Sequence, residues 1–565
     1  MKQADAGPPG IPATGWVVGI VCAWVLFGLV GHDPWKPDEA HYFGVVVDLL
    51  RSHDWVVPRL AGEPWMEKPP LLYIVASLFA HLAGPMLHLY DAARLATGFF
   101  VGIALLFLAL TSRELYGRGY GMAAMLVTIG CLGPIARMHE LITDVPLLTG
   151  ISIGAYGLAL ARRTVLPAGI ALGAGTACAF LAKGLIGPGW LGVTAMILPA
   201  FAPWRSRRYA ATLAIAAVVA SIPAAIWMGA LYARSPELFR TWLVANNFGR
   251  FFGFVRLGTR NPDGFYELTL LWYALPALPL AAWTLWKAWR TRTAPGAWDG
   301  LVLPAVLAAV ILGVLALASD SRDVYMMPIV LPLSLLAARA LADLPASGAR
   351  ALSVSARYAL GTFAFVLWLA WLALVTDFPS ALHSELLGYQ PGFHAHVHPL
   401  HVVLALAATA FGLRIVTRPA HEGGSALTQW AVGVTLCWAL ISTLWTPYLN
   451  AGKSYRSMIH SLAGELPRSG CVASRHLGEP QRALLDYYAN VRTVRLEMHP
   501  EASCPTLLVQ GWQRDPPAAP GAGWALAWEG ARPGDRAELY RLFRRDLPAG
   551  FVPVRFPRRA SRTKE

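Results

Sequence analysis

Apolar runs long enough to cross a bilayer recur from residue 14 to residue 447, and no other feature constrains the fold as much. A helix needs about 20 apolar residues to span the hydrocarbon core, with a lower limit near 17. By that measure spans are expected near 14–31, 92–111, 121–138, 145–161, 165–182, 185–202, 210–231, 267–286, 300–318, 327–342, 358–376, 400–416 and 428–447, about thirteen crossings in all. Only 14% of the 565 residues are charged, against about 25% in a soluble globular chain. The net charge of +14 does not point to nucleic acid, because the Lys and Arg residues fall in short loops between apolar runs. That is the distribution of topogenic charge. The start, "MKQADAGPPGIPATG", carries little positive charge and no convincing cleavage site follows the first run, so it reads as a retained signal-anchor.

The stretch "PPLLYIVASLFAHLAG" (69–84) decides the threading. If it lies on the membrane and the amino terminus is cytoplasmic, "SRELYGRG", "RR" at 162–163, "WRSRR", "KAWRTR", "SGARALSVSAR" and "RIVTRP" all fall inside, as the positive-inside rule requires. Counting it as a span inverts every one of those loops. The opposite face then receives 32–91, 139–144, 183–184, 232–266, 319–326, 377–399 and everything after 447. The chain divides into a membrane domain, 1–450, and a small soluble domain, 451–565. In the latter, "CVAS", "EPQRALLDYYANV", "RTVRL" and "TLLVQG" read as alternating strands and helices. Cys471 and Cys504 sit in this tail, where an extracytoplasmic location permits a disulfide but two cysteines do not establish one.

The outward segments carry ionisable groups against apolar helix ends. "GHDPWKPDEAHYFG" brings Asp38 and Glu39, "EPWMEKPP" brings Glu67 and Lys68, and "RMHELITD" brings Arg137, His139, Glu140 and Asp144. "FLAKG" adds Lys183, "NNFGRFFG" adds Asn247 and Arg250, and "SDSRDVYMMP" adds Asp320, Arg322, Asp323 and Tyr325. Ionisable groups near lipid depth are costly and mark functional cavities. Carboxylates can take a proton from an acceptor hydroxyl or stabilise positive charge on a sugar ring, and Lys or Arg can neutralise a phosphate. Singly, each has a plainer reading: Lys183 as a snorkelling anchor, Arg250 as an amphipathic-helix charge, Asp144 as an N-cap, Tyr325 as an interface aromatic, and Asp38 with Glu39 as a solvated loop. Their shared sidedness raises the functional reading.

Three other motifs carry no function. "GKS" at 452–454 lacks the first glycine and the preceding strand of a phosphate loop, and "HELIT" at 139–143 lacks the second histidine of a zinc protease. His394, His396, His398 and His401 in "HAHVHPLH" read as a solvated turn rather than a metal site.

"PDEAHYFGVVVDLLRSHDWVVPRLAGEPWMEKPPLLY" closely resembles the first external loop of the ArnT-like lipid A glycosyltransferases, which share the membrane-embedded GT-C architecture with the protein O-mannosyltransferases. "ARLATGFFVGIALLFLALTSRELYGRGYGMAAM", "LITDVPLL", "FLAKGLIG", "RFFG" and "VYMMP" follow in matching order, so the resemblance covers most of the first 345 residues. It implies a polytopic α-helical GT-C fold with a periplasmic C-terminal α/β domain in the bacterial inner membrane. It also implies inverting transfer of a sugar, 4-amino-4-deoxy-L-arabinose or another amino sugar, from undecaprenyl phosphate to a phosphate of lipid A. Carried over by motif, Asp38 is the carboxylate closest to catalysis, with Glu39 beside it and Asp144 assisting. Lys68, Lys183, Arg250 and Tyr325 surround the carrier phosphate, and Glu67 matches a metal-contacting glutamate. One position departs. The histidine that completes a zinc site in the family, three residues before the arginine of the "RF" motif, is Asn247 here, a poor metal ligand, so the departure argues against a zinc while Glu67 leaves a divalent metal open. The competing readings are the same chemistry on a protein or other envelope glycan, and a transporter for a lipid-linked sugar. The latter is disfavoured because alternating access places its site near the midplane.

Overall fold

The computed structural model describes residues 7–255, 261–262, 264–294, 296–545 and 551–556. Parts of the 232–266 segment and of the tail, at 256–260, 263, 546–550 and 557–565, lie outside the described residues. The chain is a polytopic α-helical membrane protein. Seven helices are long and apolar enough to cross a bilayer, Leu89–Tyr116, Leu166–Lys183, Arg207–Arg234, Asp323–Ala340, Ala346–Thr376, Pro399–Val416 and Gly423–Lys453 among the described residues. Shorter apolar helices, Thr14–Leu26, Tyr120–Ile129, Asp144–Leu160, Ile186–Ala200 and Val302–Leu317, pack among them. Length and composition give seven spans among the described residues, or eight if the bent pair Phe265–Tyr273 and Ala277–Arg290 counts as one.

Two expected elements take a different form. The run at 267–286 is not one straight span: Phe265–Tyr273 and Ala277–Arg290 meet at 100°. Pro276 at the break has no backbone N–H to continue the helix. The run at 121–138 is helical only over Tyr120–Ile129, after which "GCLGP" breaks it before a short 3₁₀ turn at Arg137–His139. The disputed 69–84 stretch forms the helix Leu71–Ala83 of 13 residues. At 1.5 Å per residue that is about 20 Å, short of the hydrocarbon core.

Asp144–Leu160 and Leu166–Lys183 form an antiparallel hairpin, joined by a turn around Arg162 and Arg163. Small residues set their spacing: a Cβ added to Gly175 would lie 2.3 Å from the Gly154 nitrogen, so the backbones touch where no side chain fits. The close approach brings the first residue of one helix, Asp144, against the last residue of the other, Lys183.

The tail carries a six-stranded mixed sheet in the order 494–495, 472–475, 506–512, 538–544, 525–530, 554–555. Val472–Arg475 runs parallel to both its neighbours, and Glu538–Arg544 runs antiparallel to the strands at either side. Cys471 and Cys504 are disulfide-bonded, tying the starts of two adjacent parallel strands. The helix Glu479–Ala489 docks on Asp38–Ser52, with Gly44 against Ala483, Phe43 edge-on to Tyr487 and Arg51 bonded to Asp486 at 2.8 Å.

Arg94, 1% exposed in the helix Leu89–Tyr116, fastens the first loop to this body. It donates to Glu39 Oε1 at 2.7 Å, Asp91 Oδ1 at 2.7 Å, Leu29 O at 3.0 Å and His32 O at 2.9 Å. Glu39 in turn accepts from the backbone N–H of Leu141 (3.1 Å) and Trp35 (3.2 Å). Arg94→Leu leaves two buried carboxylates without their cation and is expected to destabilise the protein by about 3–5 kcal/mol. Thermal unfolding of detergent-solubilised variant and wild type measures this, and an unchanged midpoint contradicts it.

Candidate functional site

Every site residue named from the sequence lies at the end of a helix or in a turn abutting one. Asp38 opens Asp38–Ser52, and Asp144 opens Asp144–Leu160, both where the positive end of a helix dipole favours a carboxylate. Lys183 closes Leu166–Lys183, where the dipole favours a cation. Glu67 and Lys68 precede Leu71–Ala83. Arg250 follows a π-helical stretch, Thr241–Gly249, and Tyr325 sits in the 3₁₀ turn Asp323–Ile329.

The structure brings most of them into one cluster. Lys183 Nζ is ion-paired with Asp144 and lies 4.2 Å from the centre of the Tyr325 ring. Arg250 reaches Glu67 Oε2 and Asp320 Oδ2, both at 3.2 Å, and the Tyr325 hydroxyl at 3.5 Å. That hydroxyl also hydrogen-bonds Asp320 Oδ2 at 3.3 Å. Lys68 Nζ is 3.8 Å from Glu67 Oε2. Arg322, 6.0 Å from the centre of the Tyr325 ring, holds both oxygens of Asp38 through Nη2, at 2.9 and 2.8 Å. Four cations thus alternate with four carboxylates. A cavity of about 480 Å³ opens beside this cluster at Asp320, with Phe252, Val255, Tyr266 and Leu315 in its wall.

The electrostatics follow from burial and these partners. Burial alone raises the Asp38 carboxyl, but Arg322, helped by His41 and Arg137, holds it below the usual range. Burial brings Lys68 down to about 8, assisted by the neighbouring Arg250 and opposed by Glu67. For Glu67 burial is likewise overcome, by Lys68 and Arg250, and its carboxyl titrates low. Tyr42, four residues after Asp38 on the same helix, is pushed up by burial and by Asp38, so it stays a neutral hydrogen-bonding phenol.

Glu39 stands apart. With both oxygens bonded to Arg94 and to backbone N–H groups, and 1% exposed, it faces the fold rather than the cluster. The residues also do not fit a zinc. Asn247 Oδ1 accepts from Leu185 N (3.1 Å) and its Nδ2 donates to Trp242 O (2.8 Å), which spends both ends of the amide on backbone. Glu67 is already bound by Arg250. No three His, Cys, Asp or Glu side chains converge among the described residues, including the histidines at 394–401.

Sequence reasoning noted Arg322 and Asp320 without giving them a role, and missed Tyr42. The i, i+4 spacing from Asp38 to Tyr42 was the available signal. Arg322 lies 284 residues from Asp38, and no local pattern joins them.

Glu140 borders the cluster, bonded to Arg137 at 2.9 Å. Burial raises its carboxyl to about 7, with Arg137 opposing and Glu39 reinforcing the rise. A carboxyl raised in the folded state contributes stability below its unfolded value near 4.5 and loses it as pH climbs through about 7. Glu140→Gln is therefore expected to match wild type in thermal stability near pH 4.5 and to exceed it at pH 8. Equal melting temperatures across that range contradict the assignment.

No protein-family model matches the chain. It is 28% identical over 378 residues to undecaprenyl phosphate-α-4-amino-4-deoxy-L-arabinose arabinosyl transferase 2 of Pseudomonas fluorescens. That match covers 64% of this chain and 62% of the relative. The corresponding transferase of Pseudomonas savastanoi pv. phaseolicola is 26% identical over 436 residues, 74% of this chain and 75% of the relative. Among solved structures, ArnT from Cupriavidus metallidurans bound to undecaprenyl phosphate superposes with a TM-score of 0.68 at 16% identity. It covers 94% of this chain and 98% of the neighbour. The apo form of the same protein gives a TM-score of 0.65.

Proposed function

We propose that this chain, ArnT-like in sequence and in its GT-C fold, is an inverting glycosyltransferase. It moves 4-amino-4-deoxy-L-arabinose or another amino sugar from undecaprenyl phosphate to a phosphate of lipid A, at the periplasmic face of a bacterial inner membrane. The observation that carries the proposal is the convergence of Lys68, Lys183, Arg250 and Tyr325 beside Asp38. These groups come from four stretches of chain far apart in sequence. A leaving carrier phosphate develops negative charge on the oxygen that departs from the sugar, and preorganised cations stabilise charge at that point. The relatives' names and the neighbour's bound undecaprenyl phosphate are consistent with such a donor.

The setting of Asp38 favours a phosphate acceptor. A hydroxyl acceptor on a protein or glycan needs a base near neutrality to take its proton. A carboxylate held low by Arg322 is a weak base. A phosphate monoester is already ionised at pH 7, so its oxygen attacks without that help. Asp38 is then free to stabilise the oxocarbenium-like charge on the sugar, while the acceptor enters opposite the leaving oxygen and inverts the anomeric carbon. Asp144 holds Lys183 in place for the carrier phosphate, and Glu39 is a positioning residue that fixes the loop carrying Asp38.

The periplasmic orientation rests on the positive-inside threading and agrees with the Cys471–Cys504 disulfide, a bond that persists in oxidising compartments. A transporter would carry its site near the midplane, whereas these charges gather at helix ends.

Asp38→Asn is expected to lower sugar transfer by at least about 10³-fold while the protein elutes and melts as wild type. Mass spectrometry of lipid A from cells with and without the gene is the matching test in vivo. Full modification by Asp38→Asn, or an unchanged lipid A spectrum on deleting the gene under inducing conditions, defeats the proposal. A second expectation concerns pH. Lys68 is charged below about 8 and neutral above it, so the donor KM is expected to rise as pH passes that value. Lys68→Arg, which stays charged, removes the rise.

A further inference from the structure

Asp38 has a second cationic neighbourhood that the carrier phosphate does not use. Arg322 grips both its oxygens, and Arg137 Nη1 also approaches one of them, 3.9 Å from Oδ2. Arg137 also reaches Glu140 at 2.9 Å and Asp323 at 3.7 Å. A lysine from a remote part of the chain stands within electrostatic reach of this group: Lys453, the last residue of Thr446–Lys453. Its placement is built. Asn450, one turn earlier, accepts from the backbone N–H of Asp33 (3.1 Å) and from Trp35 Nε1 (2.8 Å), which pins the helix to the first loop. Lys453 Nζ then lies 4.7 Å over the Trp35 ring, three residues before Asp38. Arg532 of the tail donates to Gly452 O and clamps the turn from outside. Lys453 is exposed and makes no direct ion pair among the described residues. Its ammonium stacks on Trp35 without an ion pair, in the electrostatic surroundings of Glu140 and Arg137.

We infer that Arg137 and Lys453 form a second anion subsite beside Asp38, which seats the acceptor's phosphate. The inference rests on the glycosyl-transfer reading above. Bringing two phosphates to one sugar carbon sets two anions against each other and against Asp38, and cations beside each phosphate offset that repulsion. The bond accounting is simple. An ionised oxygen of the acceptor phosphate forms a bond to the anomeric carbon, and the bond from that carbon to the carrier oxygen breaks. Its electron pair stays on the carrier phosphate, and no proton need move. Lys453 belongs to the segment that leads into the tail domain, so this subsite also gives the tail a role: it holds one acceptor-binding group against the first loop.

The test separates this inference from the reading beneath it. Binding of lipid A, and of the same lipid A after enzymatic dephosphorylation, is measured on the full-length protein in nanodiscs without donor. In parallel, acceptor and donor KM are measured in the transfer assay. The inference expects wild type to prefer the phosphorylated lipid, and Lys453→Met to lose that preference. It also expects Lys453→Met to raise the acceptor KM by about tenfold, the size of one charge-assisted contact, with the donor KM unmoved. Lys453→Arg restores both. Equal binding of the two lipids by wild type, or an unaltered acceptor KM in Lys453→Met, overturns the inference even if transfer proceeds. A phosphate preference that depends on Lys453 without any transfer leaves the subsite standing and defeats the catalytic reading.

Discussion

One buried guanidinium holds the first external loop, which carries Asp38, in register. Arg94 joins Glu39, Asp91 and two carbonyls of the first loop, Leu29 and His32, inside a helix bundle where an unpaired charge is costly. Because Glu39 also accepts from Leu141, the same link fixes the turn that carries Arg137, Glu140 and Asp144. The adjacent carboxylates at 38 and 39 therefore divide the work. Successive helix residues point in different directions: Glu39 turns into the fold and anchors it, and Asp38 turns toward the open cluster. The anchor determines where Asp38 can be.

The second constraint is the helix hairpin at Asp144–Lys183. Its glycine-lined seam brings the two backbones into contact, which delivers a carboxylate and an ammonium to the same end. Around them the cations and carboxylates alternate, so the cluster is nearly neutral as it stands. In the proposed reaction an incoming phosphate must compete with internal carboxylates for Lys68, Lys183 and Arg250 instead of meeting bare cations. A site so arranged would discriminate by charge and geometry together: a weak or misplaced anion gains too little to displace Glu67, Asp320 or Asp144, whereas a phosphate offers several oxygens at once.

The apolar runs, the short helix within 69–84 and the strand–helix pattern of the tail were all legible in the sequence, because period and length report directly on burial. The bend at Pro276 and the early end of the helix at Ile129 were not, since a hydropathy window averages across a proline or a Gly-Pro break. The site was legible as a set of residues but not as a set of pairs. Asp144, Lys183, Lys68, Arg250 and Tyr325 announced themselves as ionisable or polar groups at helix ends. The partnership of Arg322 with Asp38 spans most of the membrane domain, and nothing local encodes it. Glu39 misled for the same reason: beside Asp38 in sequence it looks like a second catalytic acid, and only the three-dimensional position of Arg94 reveals its other role.

Arg322 and Arg137 give the proposed transfer its direction. Both approach the same oxygen of Asp38, Oδ2, Arg322 at 2.8 Å and Arg137 at 3.9 Å, so one carboxylate is shared by two cations. In the proposed transfer Arg322 keeps Asp38 ionised while positive charge develops on the sugar. An acceptor phosphate that engages Arg137 meets the second of these cations, with no large movement of backbone. A site built this way links acceptor binding to reactivity through a single carboxylate, and it does so with the first loop held rigid by a cation buried beneath it.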